Sequence, residues 1–255
     1  MAIFDAHLHI IDPRFPLVAN QGYLPAPFST ADYRRLTAAM ELVGGAVVAG
    51  SFQGFDQTWL EAALGELGTG FVGVAQLPVD TNESQIEHLD TVGVRALRIN
   101  LRRGRVDLPA MTRLAERCHA RVGWHTEVYL EGEQLADLQP WLLRLPAVVI
   151  DHVGVTATAR RYLPLLAEHG VGIKASGFGR LDFDPAPVLA AVHRANPRSL
   201  LFGTDLPGTR APRSFTDADL ELISRSVGGD GDAVRAVLCD NARQRYLARD
   251  RLPQV

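Results

Sequence analysis

Apolar residues fall along the chain in short runs separated by amphipathic stretches, the pattern of strands alternating with helices. The runs predict strands over Ile3–His7, Gly45–Ser51, Phe71–Leu77, Val94–Asn100, Val122–Tyr129, Ala147–His152, Val171–Ser176 and Leu200–Thr204. Several are near-continuous in Val, Ile, Leu and Ala, as parallel strands covered on both faces require. Helical spacing follows each strand. The predicted helices are Ala31–Val43 capped by Thr30, Leu60–Leu67, Ser84–Val92, Ala110–Arg121, Leu130–Leu145 with Pro140 as an interruption, Arg160–His169 with Pro164 as a second, Ala186–Ala195 and Asp217–Ser226. A final helix is predicted over Asp232–Ala248. Eight strand–helix pairs in 255 residues predict one distorted (β/α)8 TIM barrel, a single domain over residues 1–255. An open doubly wound sheet is the alternative. The longest irregular segment, Ile11–Ser29, carries four prolines and follows the first strand. On a barrel it would sit at the catalytic face, as a lid or a pocket wall.

Composition narrows the function. Basic residues number 26 and acidic residues 29, a net charge of −3, which argues against a nucleic-acid footprint. No apolar run is long enough for a membrane span. The N-terminus opens directly on a strand, with no leader pattern. A cytoplasmic protein, monomer or homodimer, is expected. Cys118 and Cys239 lie too far apart to suggest a disulfide framework or a Cys-rich zinc site. No Gly-rich phosphate loop follows any strand, and no nucleophile elbow appears. Lys174 is the sole lysine, in a chain that otherwise uses arginine.

A barrel collects its chemistry at the C-terminal ends of its strands. The first strand ends in His7-Leu8-His9, and residues two apart on a strand share a side, a familiar metal-ligand spacing. The sixth ends in Asp151-His152 and the eighth in Gly203-Thr204-Asp205. Asp205 after a buried run would need a partner or a ligand, unless it is a helix cap or turn residue. The fifth strand alternates His125, Glu127 and Tyr129, and the fourth offers Arg98 and Asn100. Arg102, Arg103 and Arg105 read as a solvated loop, whereas Arg98 lies within an apolar strand and suits carboxylate binding. The second strand ends in Ser51, and the seventh gives Lys174 and Ser176, followed by Arg180. His88, His119, His169 and His193 fall in helical patterns and read as surface residues.

Phe4-Asp5-Ala6-His7-Leu8-His9, Asp151-His152 and Gly203-Thr204-Asp205 together resemble the amidohydrolase superfamily. Gly50-Ser51-Phe52-Gln53-Gly54, Val94 to Asn100, Ile150 to Gly154 and Lys174-Ala175-Ser176-Gly177 are similar to its 2-pyrone-4,6-dicarboxylate lactonase-like branch. The resemblance covers nearly the whole chain. It implies hydrolysis of a carboxylated lactone, with Asp205 activating water and His7, His9 and His152 polarising the carbonyl. Arg98, Arg180, Tyr129, Ser51, Lys174 and His125 complete the expected substrate-binding set. Tyr129 stands where metal-dependent relatives place a histidine, which implies a site needing no cofactor. The alternative is a single zinc or manganese ion on His7, His9 and Asp205, serving hydrolysis or decarboxylation, with His125 as a possible contributor. Rearrangement of a sugar-acid lactone is a related option. The chain departs from the branch at Val155 and Gly104, where the lactonase pattern carries arginines. A monocarboxylate or sugar-acid lactone therefore stands beside the dicarboxylate.

Overall fold

The structure, a computed structural model, describes residues 1–248; residues 249–255 lie outside the described part. Eight parallel strands form the sheet: β1 (Ile3–Leu8), β2 (Leu42–Val48), β3 (Phe71–Ala75), β4 (Val94–Asn100), β5 (His125–Tyr129), β6 (Val148–Ile150), β7 (Gly172–Ala175) and β8 (Leu200–Phe202). Each pairs with the next in chain order. The seam between the last strand and the first is closed just beyond their ends. The Asp205 N–H donates to the His7 carbonyl at 2.7 Å, and the His9 N–H to the Leu206 carbonyl at 2.8 Å. The result is a distorted, nearly closed (β/α)8 barrel, and the open doubly wound sheet is excluded.

The helices are α1 (Thr30–Leu36), α2 (Thr58–Leu67), α3 (Glu83–Thr91), α4 (Leu108–Val122), α5 (Leu135–Leu142), α6 (Leu163–Glu168), α7 (Ala186–Ala195) and α8 (Asp217–Ser226). A closing helix runs through α9 (Gly231–Arg235), a π-helical turn Ala236–Asp240 and α10 (Asn241–Leu247). Several boundaries differ from expectation for local reasons. Ser29, not Thr30, caps α1, through a reciprocal capping box with Asp32. That helix stops at Leu36, and β2 begins at Leu42 rather than Gly45, because Gly44 lets the strand pass against the Gly70 backbone. Pro140 sits inside α5 without ending it. Pro164 occupies the first turn of α6, where its missing N–H costs no bond.

The outer apolar core lies between strands and helices. A second cluster fills the barrel interior: Phe4, Ala6, Ala46, Val48, Val72, Val74, Ala96, Val149 and Leu201, joined by Cys239, Ala242 and Tyr246 of the closing helix. Tyr246 thus plugs the N-terminal end of the barrel. The segment from Ile11 to Ser29 crosses the opposite end. Ile11 and Phe28 form a β-bridge at its base, the Val18 N–H donates to the Phe52 carbonyl at 2.8 Å, and Arg210 stacks 4.2 Å from the Tyr23 ring. Among the described residues, no helix is long and apolar enough to cross a membrane.

The Tyr246 hydroxyl donates to the fully buried Glu127 carboxylate. Tyr246→Phe should therefore destabilise the protein by about 1–3 kcal/mol, seen as a lower urea midpoint with an unchanged slope. An unchanged midpoint would show that Glu127 is satisfied by its other partners alone.

Candidate active site

Strict alternation along β1 would place Phe4, Ala6 and Leu8 on one face. Phe4 and Ala6 do line the interior, but the pairing with β2 slips between Asp5 and Leu8. That irregularity reverses the phase, so Leu8 joins the outer core while His7 and His9 turn inward. Asp5, left outside, accepts from the Thr204 N–H at 2.8 Å, the Thr204 hydroxyl at 2.6 Å, the Tyr33 hydroxyl at 3.0 Å and the His7 N–H at 3.2 Å. Burial pushes its carboxyl up to about 6 despite these donors. The carboxyl clamps the end of β1 to the segment leaving β8. Gly203 makes the approach possible, since a Cβ there would lie 2.8 Å from the His7 backbone.

His152 and Asp205 are non-glycine residues with φ of 51° and 59°. This left-handed backbone costs about 1–3 kcal/mol per residue and swings each side chain back over the barrel mouth. There Asp205 Oδ1 lies 3.6 Å from His9 Nε2, 3.7 Å from His152 Nε2 and 3.8 Å from His7 Nε2. All four side chains are buried, and Oδ1 has no hydrogen-bond partner within the protein. The other oxygen, Oδ2, accepts from two guanidinium nitrogens of Arg180, Nε at 3.0 Å and the closer Nη2.

The charges follow from this geometry. Burial alone would raise the Asp205 carboxyl, but Arg180, with help from the histidines, holds it well below the usual carboxylate range. Burial drives the His7 imidazole well below its ordinary value, and the neighbouring Lys174 pushes the same way. His152 is pushed down to about 3, first by burial and then by Arg180 and Arg98, against the pull of Asp205 and Asp151. The site therefore combines an ionised carboxylate with neutral His7 and His152 rings. The far ring nitrogens are also engaged. His9 Nδ1 donates to the Val48 carbonyl at 2.8 Å, and His152 Nδ1 lies 2.9 Å from the Ser176 hydroxyl.

Beneath the imidazoles lies a buried ionic layer. Lys174 Nζ is 2.5 Å from Glu127 Oε2, 3.4 Å from Asp151 Oδ1 and 3.1 Å from His7 Nδ1. Arg98 pairs with Asp151 at 3.2 Å and donates to the Ala49 carbonyl at 2.8 Å. Lys174 and Arg98 hold Glu127 and Asp151 ionised against the effect of burial. His7 Nδ1 faces Lys174 Nζ, a donor, at 3.1 Å and Asp151 Oδ1, an acceptor, at 3.3 Å; the shorter Lys174 contact favours Nδ1 as acceptor and the ring proton on Nε2.

The residues expected from sequence thus separate by depth. His7, His9, His152 and Asp205 converge. Tyr129, Ser51 and Arg180 line the recess above them, together with Arg98, whose guanidinium is already engaged below. Lys174 lies under the floor. His125 sits at the other end of β5, beside Tyr246 and 3.3 Å from Glu127, lining a cavity at the opposite end of the barrel. The sequence pattern reads Arg102 and Arg103 as a solvated loop and does not single out Arg210. Arg102 donates to the Tyr129 hydroxyl at 2.6 Å and pairs with Glu131, while Arg103 and Arg210 border the recess. Their signal was position: a run of arginines directly after β4 and another beyond β8 must stand at the mouth. Asp151 was also legible, since alternation from inward Val149 brings it inside.

Two groups of side chains have the proximity a metal ion needs, His7 with His9 and Asp205, and His7 with Asp151 and His152. Imidazole nitrogens and a carboxylate are the donors a zinc or manganese site uses, while Lys174 beside His7 and Arg180 on Asp205 place two positive charges against them.

Comparison with known proteins agrees with this architecture. The profile of the amidohydrolase family matches residues 4–247. A 2-pyrone-4,6-dicarboxylate hydrolase of Comamonas testosteroni is 27% identical over 271 aligned positions, covering 95% of this chain and 89% of the relative. A crystal structure from Agrobacterium tumefaciens superposes with a TM-score of 0.84 at 23% identity, covering 97% of this chain and 96% of its own. An amidohydrolase of Burkholderia multivorans with bound zinc superposes at 0.75 and 20% identity, covering 98% and 100%. With a family match spanning almost every described residue, laid over eight strands that bring the His-x-His pair against the last strand's aspartate, this chain belongs to the amidohydrolase family.

Proposed function

We propose that this single-domain barrel hydrolyses a carboxylated lactone without a metal, using Asp205 to activate water. The observation that carries the reading is the Asp205 carboxylate. One oxygen is held by Arg180, and the other is buried and unpartnered among three imidazole nitrogens. A water between Oδ1 and the His9 ring would lose a proton to Asp205 as its oxygen attacks the lactone carbonyl carbon. The oxyanion that forms faces His7 Nε2–H, a preorganised donor in a dry site. Collapse breaks the ring C–O bond, and the proton held by Asp205 passes to the leaving alkoxide, giving a hydroxy acid. Arg103 and Arg210 supply cations at the mouth for a substrate carboxylate. The relative named 2-pyrone-4,6-dicarboxylate hydrolase supports the reaction class.

Asp205→Asn should lower kcat by about a thousandfold with the fold intact by circular dichroism. Retained turnover would remove Asp205 from the base role. The product should be a ring-opened acid by NMR; an isomerised lactone or released carbon dioxide would point to the related rearrangement or decarboxylation.

The neutral-histidine arrangement has its own test. His7 sits well below its ordinary value and His152 near 3, so neither ring should gain a proton as pH falls from 8 to 5. Imidazole NMR signals of both should stay neutral over that range, with the His7 proton on Nε2. Titration of either ring near 6.5, or a His7 proton on Nδ1, would overturn the arrangement.

The metal-dependent reading draws on the zinc-bound relative and on the proximity of His7, His9 and Asp205. Protein grown with added zinc and manganese, then dialysed against chelator, should keep its turnover. Loss of activity restored by either ion would establish that reading instead.

A further inference from the structure

The recess over Asp205 and the histidines holds only about 30 Å³, close to the space of one water molecule. A substrate larger than its reacting carbonyl must extend elsewhere. Beside the recess lies a cavity of about 420 Å³ between the loops that follow β2, β3 and β4. The two spaces share Ser51, Arg98, Asn100 and Arg103 in their walls, so they lie side by side.

The walls of the side cavity are chemically divided. At the shared edge stand polar groups, with Arg103 as the cation whose pairing is least committed. Its side chain contacts two neutral groups, the Gln21 side chain at 3.1 Å and the Tyr129 hydroxyl, whereas Arg98 is bound to Asp151 and the Ala49 carbonyl. Away from that edge the lining includes Phe55, Leu77, Val79, Val106 and Met111, beside the polar Gln76, Arg105 and Asp107. Phe55 and Val79, 57% and 45% exposed, both border this concavity and leave apolar surface at its rim. A second carboxylate on the substrate would have to pair with Arg210 across the recess or with the exposed Arg105, and ion pairs in water contribute little.

The geometry points to a substrate with an apolar arm: a lactone bearing one carboxylate and an aryl or alkyl substituent, the carboxylate at Arg103 and the substituent over Leu77, Val79, Val106 and Met111. This rests on the lactone-hydrolase reading only for where the reacting carbonyl lies. It distinguishes the substrate from a compact dicarboxylate ring, for which the apolar wall would be wasted surface.

The test is binding, with no turnover required. The wild-type chain is titrated with 3-phenylpropionate and with glutarate, acids of similar reach that differ in their far end. 3-Phenylpropionate should bind about tenfold tighter, the effect of burying part of one aromatic ring. Val79→Thr and Val106→Thr, uncharged and of similar volume, should bring its affinity down towards that of glutarate and change glutarate binding far less. Equal affinities in the wild type, tighter binding of glutarate, indifference to both substitutions, or no binding of either acid at millimolar concentration would each overturn the assignment. A chain that shows the preference yet opens no lactone would refute the hydrolase reading and leave the apolar arm standing.

Discussion

The interior of this barrel depends on one ammonium. Lys174 is fully buried, and its three polar neighbours come from three other parts of the sheet: Glu127 on β5, Asp151 after β6 and His7 on β1. Two carboxylates at this depth, without cations, would be prohibitively desolvated. Removing one partner of such a set costs about 3–5 kcal/mol, because the others stay behind unpaired. The layer therefore fixes how the strands stand relative to one another, and it does so immediately below the reacting groups. It also explains why the chain places its sole lysine here. A guanidinium is planar and forked, whereas an ammonium is a compact charge able to face three directions at once.

The ionic arrangement decides what the imidazoles can do. Below them, Lys174 and Arg98 balance Glu127 and Asp151; above them, Arg180 balances Asp205. The histidines sit between two layers that are each close to neutral. Asp205 and Asp151 pull His152 toward protonation, but burial and the neighbouring cations outweigh them, and burial with Lys174 does the same at His7, so both rings stay neutral. Neutral rings have directional chemistry, a donor on one nitrogen and an acceptor on the other, and the contact at the far nitrogen sets which is which. His9 and His7 are set oppositely. The Val48 carbonyl takes the His9 proton away from the site, and Lys174 leaves the His7 proton facing into it.

Much of this could be read from residue order. The strands are nearly continuous apolar runs, and their ends carry the polar groups, so the barrel and the group His7, His9, His152 and Asp205 follow from pattern and position. Other features were hidden for physical reasons. The slip in β1 that turns His7 and His9 inward is a pairing irregularity, invisible to alternation, which would have faced them outward beside the inward Ala6. The left-handed backbone at His152 and Asp205 has no composition signal, because neither residue is glycine. His125 alternates correctly with Glu127 and Tyr129, but alternation gives a face and not a height. It lies at the wrong end of its strand for the mouth. The arginines after β4 looked like solvated loop residues because the fold of that loop, not its sequence, aims them at the recess.

These hidden features divide the molecule into a rigid part and an adjustable one. Asp5, Gly203 and the strained residues His152 and Asp205 interlock at the β1–β8 seam, where a displaced group would meet another within a few tenths of an ångström. Strain of this kind persists only where the surroundings over-determine it, so the seam and the ionic layer below it must hold their geometry together. The mouth is built differently. Its cations come from loops after β4, β7 and β8, and its apolar wall from loops after β2, β3 and β4; of these, the β7 and β8 loops touch the seam, through Arg180 on Asp205 and the Leu206 carbonyl. Residues of the apolar wall can change with less effect on the reacting groups. An arginine can give way to Val155 or Gly104, and the lost carboxylate contact can be replaced by apolar area. The same buried chemistry then serves a different substrate, which is why the family can be read from the strand ends while the substrate must be read from the loops.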